Sequence, residues 1–192
     1  MLEVDEKDLA DVAATLDGDE EAFAGIVERH SLAIQKQMRN FARDPGQVEE
    51  LVQDVFVEAY LGLSKFRAEA PFRHWLARIA TLTGYKFWKN RDKDKKKVPI
   101  IDGMEPVAEE QREERDPEVA AGLLFDLLAT LPPDDRMVMT LMYLEHLGQD
   151  DIAERMGWTR VMVAVRIYRA KKRLQKLGDK EPWKGRLEWI LS

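Results

Sequence analysis

Arg160, Arg166, Arg169, Lys171, Lys172 and Arg173 fall within fourteen residues near the end of the sequence, and no acid interrupts them. A run of cations on one helix suits binding to phosphate rather than bond-breaking chemistry. Just ahead of it, Ala153, Gly157 and Val163 stand in the spacing A-x3-G-x5-V. A helix-turn-helix needs a small residue where its helices cross, a glycine in the turn, and a branched apolar residue locking the second helix onto the first. Ile152, Met156, Ile167, Ala170 and Leu174 would fill the shared core. Arg160, Arg166, Arg169 and Lys172 are then expected on the remaining surface of the second helix or just past it, facing phosphates and base edges of a major groove. A helical hairpin with a solvated charged face is the alternative reading of this spacing.

A second cationic stretch, FRAEAPFRHWLARIATLTGYKFWKNRDKDKKK, interleaves its charges with Phe66, Phe72, Trp75, Tyr85, Phe87 and Trp88. Cations for phosphates and rings for unstacked bases suit single-stranded or opened nucleic acid. Phe72, Trp75 and Ile79 follow helical spacing, which favours core packing for Trp75; Tyr85 and Trp88 divide evenly between core and surface. Residues 65–98 carry a net charge of +8 and residues 159–176 a net of +7, although the whole chain is at -6. Residues 1–30 hold a net of -8 and residues 99–122 a net of -6. The cations are therefore concentrated in two patches within an acidic protein.

Other chemistry finds little support. His30, His74 and His146 lie far apart without paired ligand spacing, so no metal is expected, and no Gly-rich phosphate loop or nucleophile motif calls for a cofactor. Glu49, Glu50 and Asp54 would serve a metal-dependent nuclease only by converging, and a helix spreads them over an open face; no catalysis is expected. The absence of cysteine fits a reducing compartment, and no apolar run approaches the roughly 18 residues of a membrane helix. The acidic N-terminus lacks a secretory pattern, and the expected location is cytoplasmic.

The elements that must position these residues read as helices. Phe23, Ile26, Val27, Ile34, Met38 and Phe41 recur at three- and four-residue steps, as do Val48, Leu51, Val52, Val55, Phe56, Ala59, Tyr60 and Leu63. With Leu51, Val52, Val55 and Phe56 inward, Glu50, Gln53 and Asp54 are exposed on one side. Pro45-Gly46 is expected to separate these two helices, and the turn from Ala68 to Pro71 to precede a third. Residues 98–117, acidic and poorly periodic, read as a flexible linker. Apolar helices resume at Val119, stop at Pro132-Pro133, and restart with Asp134 expected as cap. The expected fold is all-α: a helical domain over 1–97, the linker, and a helical domain over 118–192 containing the helix-turn-helix.

From Asp19 to Lys97 the chain resembles the second conserved region of an extracytoplasmic function (ECF) sigma factor, and Leu127 to Leu177 resembles the fourth. The matching stretches are DEEAFAGIVERH, VEELVQDVFVEAYLGLSKFRAEAPFRHWLARIA, LATLPPDDRMVMTLMYLEHLGQDDIAERMG and the basic helix. The resemblance implies a protein that docks on bacterial RNA polymerase core, directs it to promoter DNA and helps open the minus-ten element, with an anti-sigma factor as a further partner. It also implies that Glu50, Gln53 and Asp54 meet the polymerase clamp. Arg67, Arg73, Arg78, Lys86, Lys89 and Arg91 fall in the part such factors use for the minus-ten element. Thr159 to Lys172 occupies the place that reads the minus-thirty-five element. Leu82 stands where many relatives have Asn, and Ala164-Val165 where they often have Lys-Ser, so base preference does not transfer at either place. A helix-turn-helix regulator acting without polymerase is the alternative. The tail from Lys180, with Trp183 and Trp189, is expected to dock on the fourth region.

Overall fold

The computed structural model describes residues 2–97 and 117–178, and every described element is helical. The expected linker and the C-terminal tail lie outside the described residues, apart from Pro117. In order the helices are α1 (Leu2–Leu16), α2 (Glu20–Met38), α3 (Pro45–Gly62), α4 (Phe72–Lys97), α5 (Pro117–Ala129), α6 (Pro133–Tyr143), α7 (Gln149–Met156) and α8 (Arg160–Gly178), with a single 3-10 turn at Leu63–Lys65. The chain divides into two compact units, Met1–Trp88 and Lys89–Ser192.

In the first unit, local chemistry sets the helix starts. Asp19 accepts from the amides of Glu21 and Ala22 at 3.0 and 3.3 Å, while Asp44 accepts from Gln47 N at 2.9 Å. Pro45 is the first residue of α3 rather than a break between helices: its fixed φ fits the first helical position, where its missing N–H is not needed. Ile26, Ile34 and Met38 of α2 are buried, as are Leu51, Val55 and Phe56 of α3, on which α2 packs, and Phe72, Leu76 and Ala80 of α4; Gln37 of α2 donates to the Ala77 carbonyl and Thr81 Oγ1 of α4 at 3.2 and 3.1 Å.

The N-terminal acidic stretch forms α1, which periodicity did not single out. Asp8, fully buried, fastens it to α2. Its Oδ1 accepts from Arg29 Nε and Nη2 at 3.0 and 2.9 Å, and its Oδ2 lies 2.9 Å from His30 Nε2. Arg29 Nη2 also reaches Asp11 Oδ2 at 2.6 Å. Burial opposes the guanidinium charge, but the hydrogen bonds to Asp11 and Asp8 outweigh it and raise the Arg29 pKa.

Helix α4 crosses the Phe41 ring at Gly84. A Cβ there would lie 2.3 Å from Phe41 Cδ1, a distance no side chain tolerates. One turn on, Trp88 donates from Nε1 to the Phe41 carbonyl at 2.9 Å, and the two rings lie 4.7 Å apart. Trp88 is thus a core residue. Gly84→Ala gains about 1 kcal/mol of helix propensity but overpacks a full core, at about 1–3 kcal/mol or more. We expect a lower urea midpoint with an unchanged slope, and partial recovery when Phe41→Leu shortens the opposing side chain.

In the second unit, Leu127, Leu128 and Leu131 pack with Met137, Val138 and Leu141, while Ile152, Met156, Val163, Ile167, Ala170 and Leu174 are buried as the spacing required. Gly157 is left-handed at φ 66, and the amide of Trp158 returns to the Ala153 carbonyl at 2.9 Å, ending α7 and turning the chain into α8. Asp134 is not the cap of α6. Pro133 takes the first helical position and Pro132 the cap, leaving Asp134 and Asp135 in the first turn, where the helix dipole favours acids. Arg136 lies with its guanidinium 4.7 Å over the Phe125 ring, and burial lowers its pKa to about 10, so it stays charged near neutrality.

Candidate nucleic-acid interface

Helix α8 begins at a cap that the sequence supplies locally. Thr159 Oγ1 accepts from Met162 N at 3.2 Å, so this hydroxyl starts the helix, whatever else it meets. Counting about 100° per residue, the face opposite Val163, Ile167, Ala170 and Leu174 carries Val161, Val165, Tyr168 and Lys172, with Arg169 at its edge. All five are exposed.

Two of the four expected surface cations behave differently. Arg160 is exposed but sits to the side of this face, 3.4 Å from Asp150 Oδ1. Arg166 was expected on the open surface and is not there. Its guanidinium lies 4.5 Å over the Trp158 ring and bonds Asp134 Oδ2 at 2.5 Å, with 19% of the side chain exposed. The reason is the pair of acids that Pro133 pushes into the first turn of α6: Asp134 takes Arg166, and buried Asp135 bonds Arg173. Arg166 therefore fixes α8 on α6. The sequence signal was Pro-Pro-Asp-Asp itself, with proline rather than aspartate beginning the helix.

Of the cations expected at the minus-ten element, Arg67, Arg78, Lys86 and Arg91 are exposed, while Arg73 and Lys89 are partly covered; Lys89 and Arg91, on the last turns of α4, fall in the second unit. Lys86 lies 3.6 Å from Glu58 across α3 and α4. Phe66, Phe72 and Trp75 stack on one another with centroids 5.2 to 5.4 Å apart, so these rings serve mainly as packing. Trp75 still lines a cleft of about 370 Å³ between α3 and α4, together with apolar Ile79 and Leu82, the cations Lys65, Arg78 and Lys86, and the acid Glu58 that Lys86 faces. Leu82, 38% exposed, stands in that cleft.

On α3, Leu51, Val55 and Phe56 are buried and Val52 half-buried, while Glu50, Gln53 and Asp54 are all exposed. The same stripe continues through Val57 and Leu61, 56% and 71% exposed. Two bare aliphatic residues extending an acidic patch make a mixed surface, suited to a protein partner rather than to DNA. In the sequence Val57 and Leu61 share the apolar character of the neighbouring core positions, and only their phase around the helix marks them as outward.

Residues 26–94 match the family model for Sigma-70 region 2, and residues 121–174 match that for Sigma-70, region 4. The ECF RNA polymerase sigma-E factor of Haemophilus influenzae is 28% identical over 178 residues, covering 88% of this chain and 93% of that protein.

The chain belongs to the ECF sigma factors.

The RNA polymerase sigma factor CnrH of Cupriavidus metallidurans is 29% identical over 179 residues, covering 87% of this chain and 92% of its own length. The solved structure of CnrH in complex with the cytosolic domain of CnrY superposes with a TM-score of 0.56 at 27% identity, covering 91% of this chain and 99% of that one. The helix-turn-helix of this sigma factor lies within the region 4 match, and the α3 face and the cleft lie within the region 2 match. No described helix is long and apolar enough to cross a membrane.

Proposed function

We propose that this ECF sigma factor docks on RNA polymerase core through the outward stripe of α3, meets the minus-ten element along α4 and reads the minus-thirty-five element with α8. The observation that carries this division of labour is a single chain holding, in order, an acidic-aliphatic face on α3, a cation-lined cleft on α4 and an acid-free exposed helix on α8. Glu50, Gln53 and Asp54 serve the docking. Arg67, Arg78, Lys86 and Arg91 meet the phosphates of the opened strand, with Arg73 and Lys89 behind them, while the apolar lining around Leu82 accommodates an unstacked base. Arg169 and Lys172 hold the upstream duplex. The working domains in this reading are residues 1–97 and 118–192, joined by residues 98–117. The protein acts in the cytoplasm as a specificity factor without catalysis of its own, and an anti-sigma factor that covers these surfaces would hold it inactive.

Mixing the purified protein with core polymerase and sequencing transcripts from a genomic template tests the reading. Initiation at a limited set of sites sharing two spaced elements is expected. Transcripts no different from those of core alone would refute it.

The cations of α8 should separate by role. Arg160 gives up little by leaving Asp150, because an exposed ion pair is worth about 0–1 kcal/mol, and it can swing to the groove. Arg160→Ala should therefore change which minus-thirty-five sequences are used, by about 1–3 kcal/mol between bases. Lys172→Ala should weaken all promoters alike and reduce the salt slope by about one. Sequence-blind losses from both, measured by holoenzyme binding at several salt concentrations, would rule out base reading by Arg160.

A further inference from the structure

The face that α8 turns outward is apolar at its N-terminal half. Val161 is 72% exposed, Val165 42% and Tyr168 65%, and Ala164 lies beside them. Exposed aliphatic side chains one turn apart on a surface helix need an occupant. The rest of the helix narrows the choice. Seven cations and no acid occur over residues 159–176, and Lys172 and Arg169 extend the same outward side. Lys172 Nζ lies 5.9 Å from the Tyr168 ring centroid. An apolar patch on a helix whose own charges are all positive complements a polyanion that displays apolar groups. In the major groove of duplex DNA the one apolar group on any base edge is the thymine C5-methyl.

Position along the helix agrees. A helix-turn-helix presents the N-terminal residues of its second helix to base edges, and residues further along meet the backbone. Val161, Ala164 and Val165 fill the first turns after the Thr159 cap, and Lys172 lies two turns beyond. None of the three can donate or accept a side-chain hydrogen bond, so they cannot select a guanine or adenine by polar contact. Arg166 is the cation nearest Val165 in sequence, and Asp134 and Trp158 hold it.

We propose that Val161 and Val165 of α8 select thymine at two positions of the minus-thirty-five element by packing on its C5-methyl groups. This rests on α8 being the minus-thirty-five reader, and it deepens that reading by naming the base chemistry.

The test uses holoenzyme assembled from the full chain and core polymerase, on a promoter mapped by the transcript sequencing described above. The upstream window is randomised in both strands, with thymine in one library and uracil, which lacks only the methyl, in the other. Thymine should be enriched at two positions in the first library. The corresponding uracil enrichment in the second should fall about fourfold per contacted methyl, the factor corresponding to roughly 0.8 kcal/mol for one buried carbon. The double variant Val161→Ala, Val165→Ala should retain its helicity, since both residues are exposed and alanine favours helix. It should select thymine and uracil libraries equally. Equal selection by the unaltered chain overturns the proposal. Undiminished discrimination by the double variant also overturns it, and leaves the face to a protein partner. A chain that joins core polymerase but selects nothing in the upstream window removes the minus-thirty-five role of α8 itself, and a chain that fails to join core removes the docking reading as well.

Discussion

A protein carrying Gln53→Ala and Asp54→Lys together is expected to remain helical, to melt where the unaltered chain melts, and to lose its association with core polymerase. Both residues are exposed on α3, while the residues that hold that helix in place, Leu51, Val55 and Phe56, are buried on its other side. Substitutions at such positions usually change stability by less than about 0.5 kcal/mol. Glycine and proline are not involved, and both replacements are good helix formers.

Binding responds differently because the stripe acts as one surface. Glu50, Gln53 and Asp54 present two carboxylates and an amide, and Val57 and Leu61 continue the surface with aliphatic area. If a cation of the polymerase meets Asp54, lysine there converts attraction into like-charge repulsion at close range, and a loss of about 3 kcal/mol already weakens association about a hundredfold. Gln53→Ala removes the neighbouring hydrogen-bonding group. Promoter-directed transcription should fall with association, as measured by co-purification with core and by run-off synthesis. A regulator working through its helix-turn-helix alone would keep its DNA binding and most of its activity. Full transcription by a well-folded double variant would remove α3 as the docking face.

The sequence made the helices legible where burial is periodic, and less so where polar groups do the fastening. Stripes such as Ile26-Ile34-Met38 and Leu51-Val55-Phe56 announce their inward faces, and Ala153, Gly157 and Val163 mark a crossing that needs a small residue, a left-handed turn and a branched apolar lock. Cations are harder to place. Arg166 and Arg169 are alike in type and three residues apart, yet one is pinned between Trp158 and Asp134 and the other is exposed. What separates them is the position of two acids on α6, and that position followed from a proline whose φ suits a helix start. Trp88 posed a similar problem, because an indole among cations fits either nucleic acid or core. The carbonyl of Phe41 settled it by accepting its N–H across the bundle. Polar partners distant in sequence leave no periodic trace.

The Asp8 cluster is the clearest such case. Asp8→Ala is expected to destabilise the first unit by about 3–5 kcal/mol, the cost typical of removing one member of a buried ion pair. The carboxylate is fully buried and accepts three contacts: Nε and Nη2 of Arg29, and Nε2 of His30. Without it, Arg29 keeps only Asp11, through Nη2, and its Nη1 is already buried without a hydrogen-bond partner. His30 would lose its carboxylate while still enclosed, its ring 5.7 Å from that of Phe72. Asp11→Ala makes the comparison, since Asp11 is partly exposed and Arg29 would retain both bonds to Asp8. It should cost about 1 kcal/mol. Urea unfolding distinguishes the two when followed by the fluorescence of Trp75 and Trp88, which belong to the first unit, in a background where Trp158, Trp183 and Trp189 of the second are replaced by phenylalanine. Near-equal midpoints for Asp8→Ala and the unaltered chain would mean that the buried Asp8 contacts do not fasten α1, leaving that task to apolar burial such as Val12. Polymerase association should survive Asp8→Ala at temperatures where the protein stays folded, because the docking stripe lies on α3 and the lost contacts join α1 to α2. Loss of docking by a folded Asp8→Ala protein would instead show that α1 helps hold the α3 face in its binding shape.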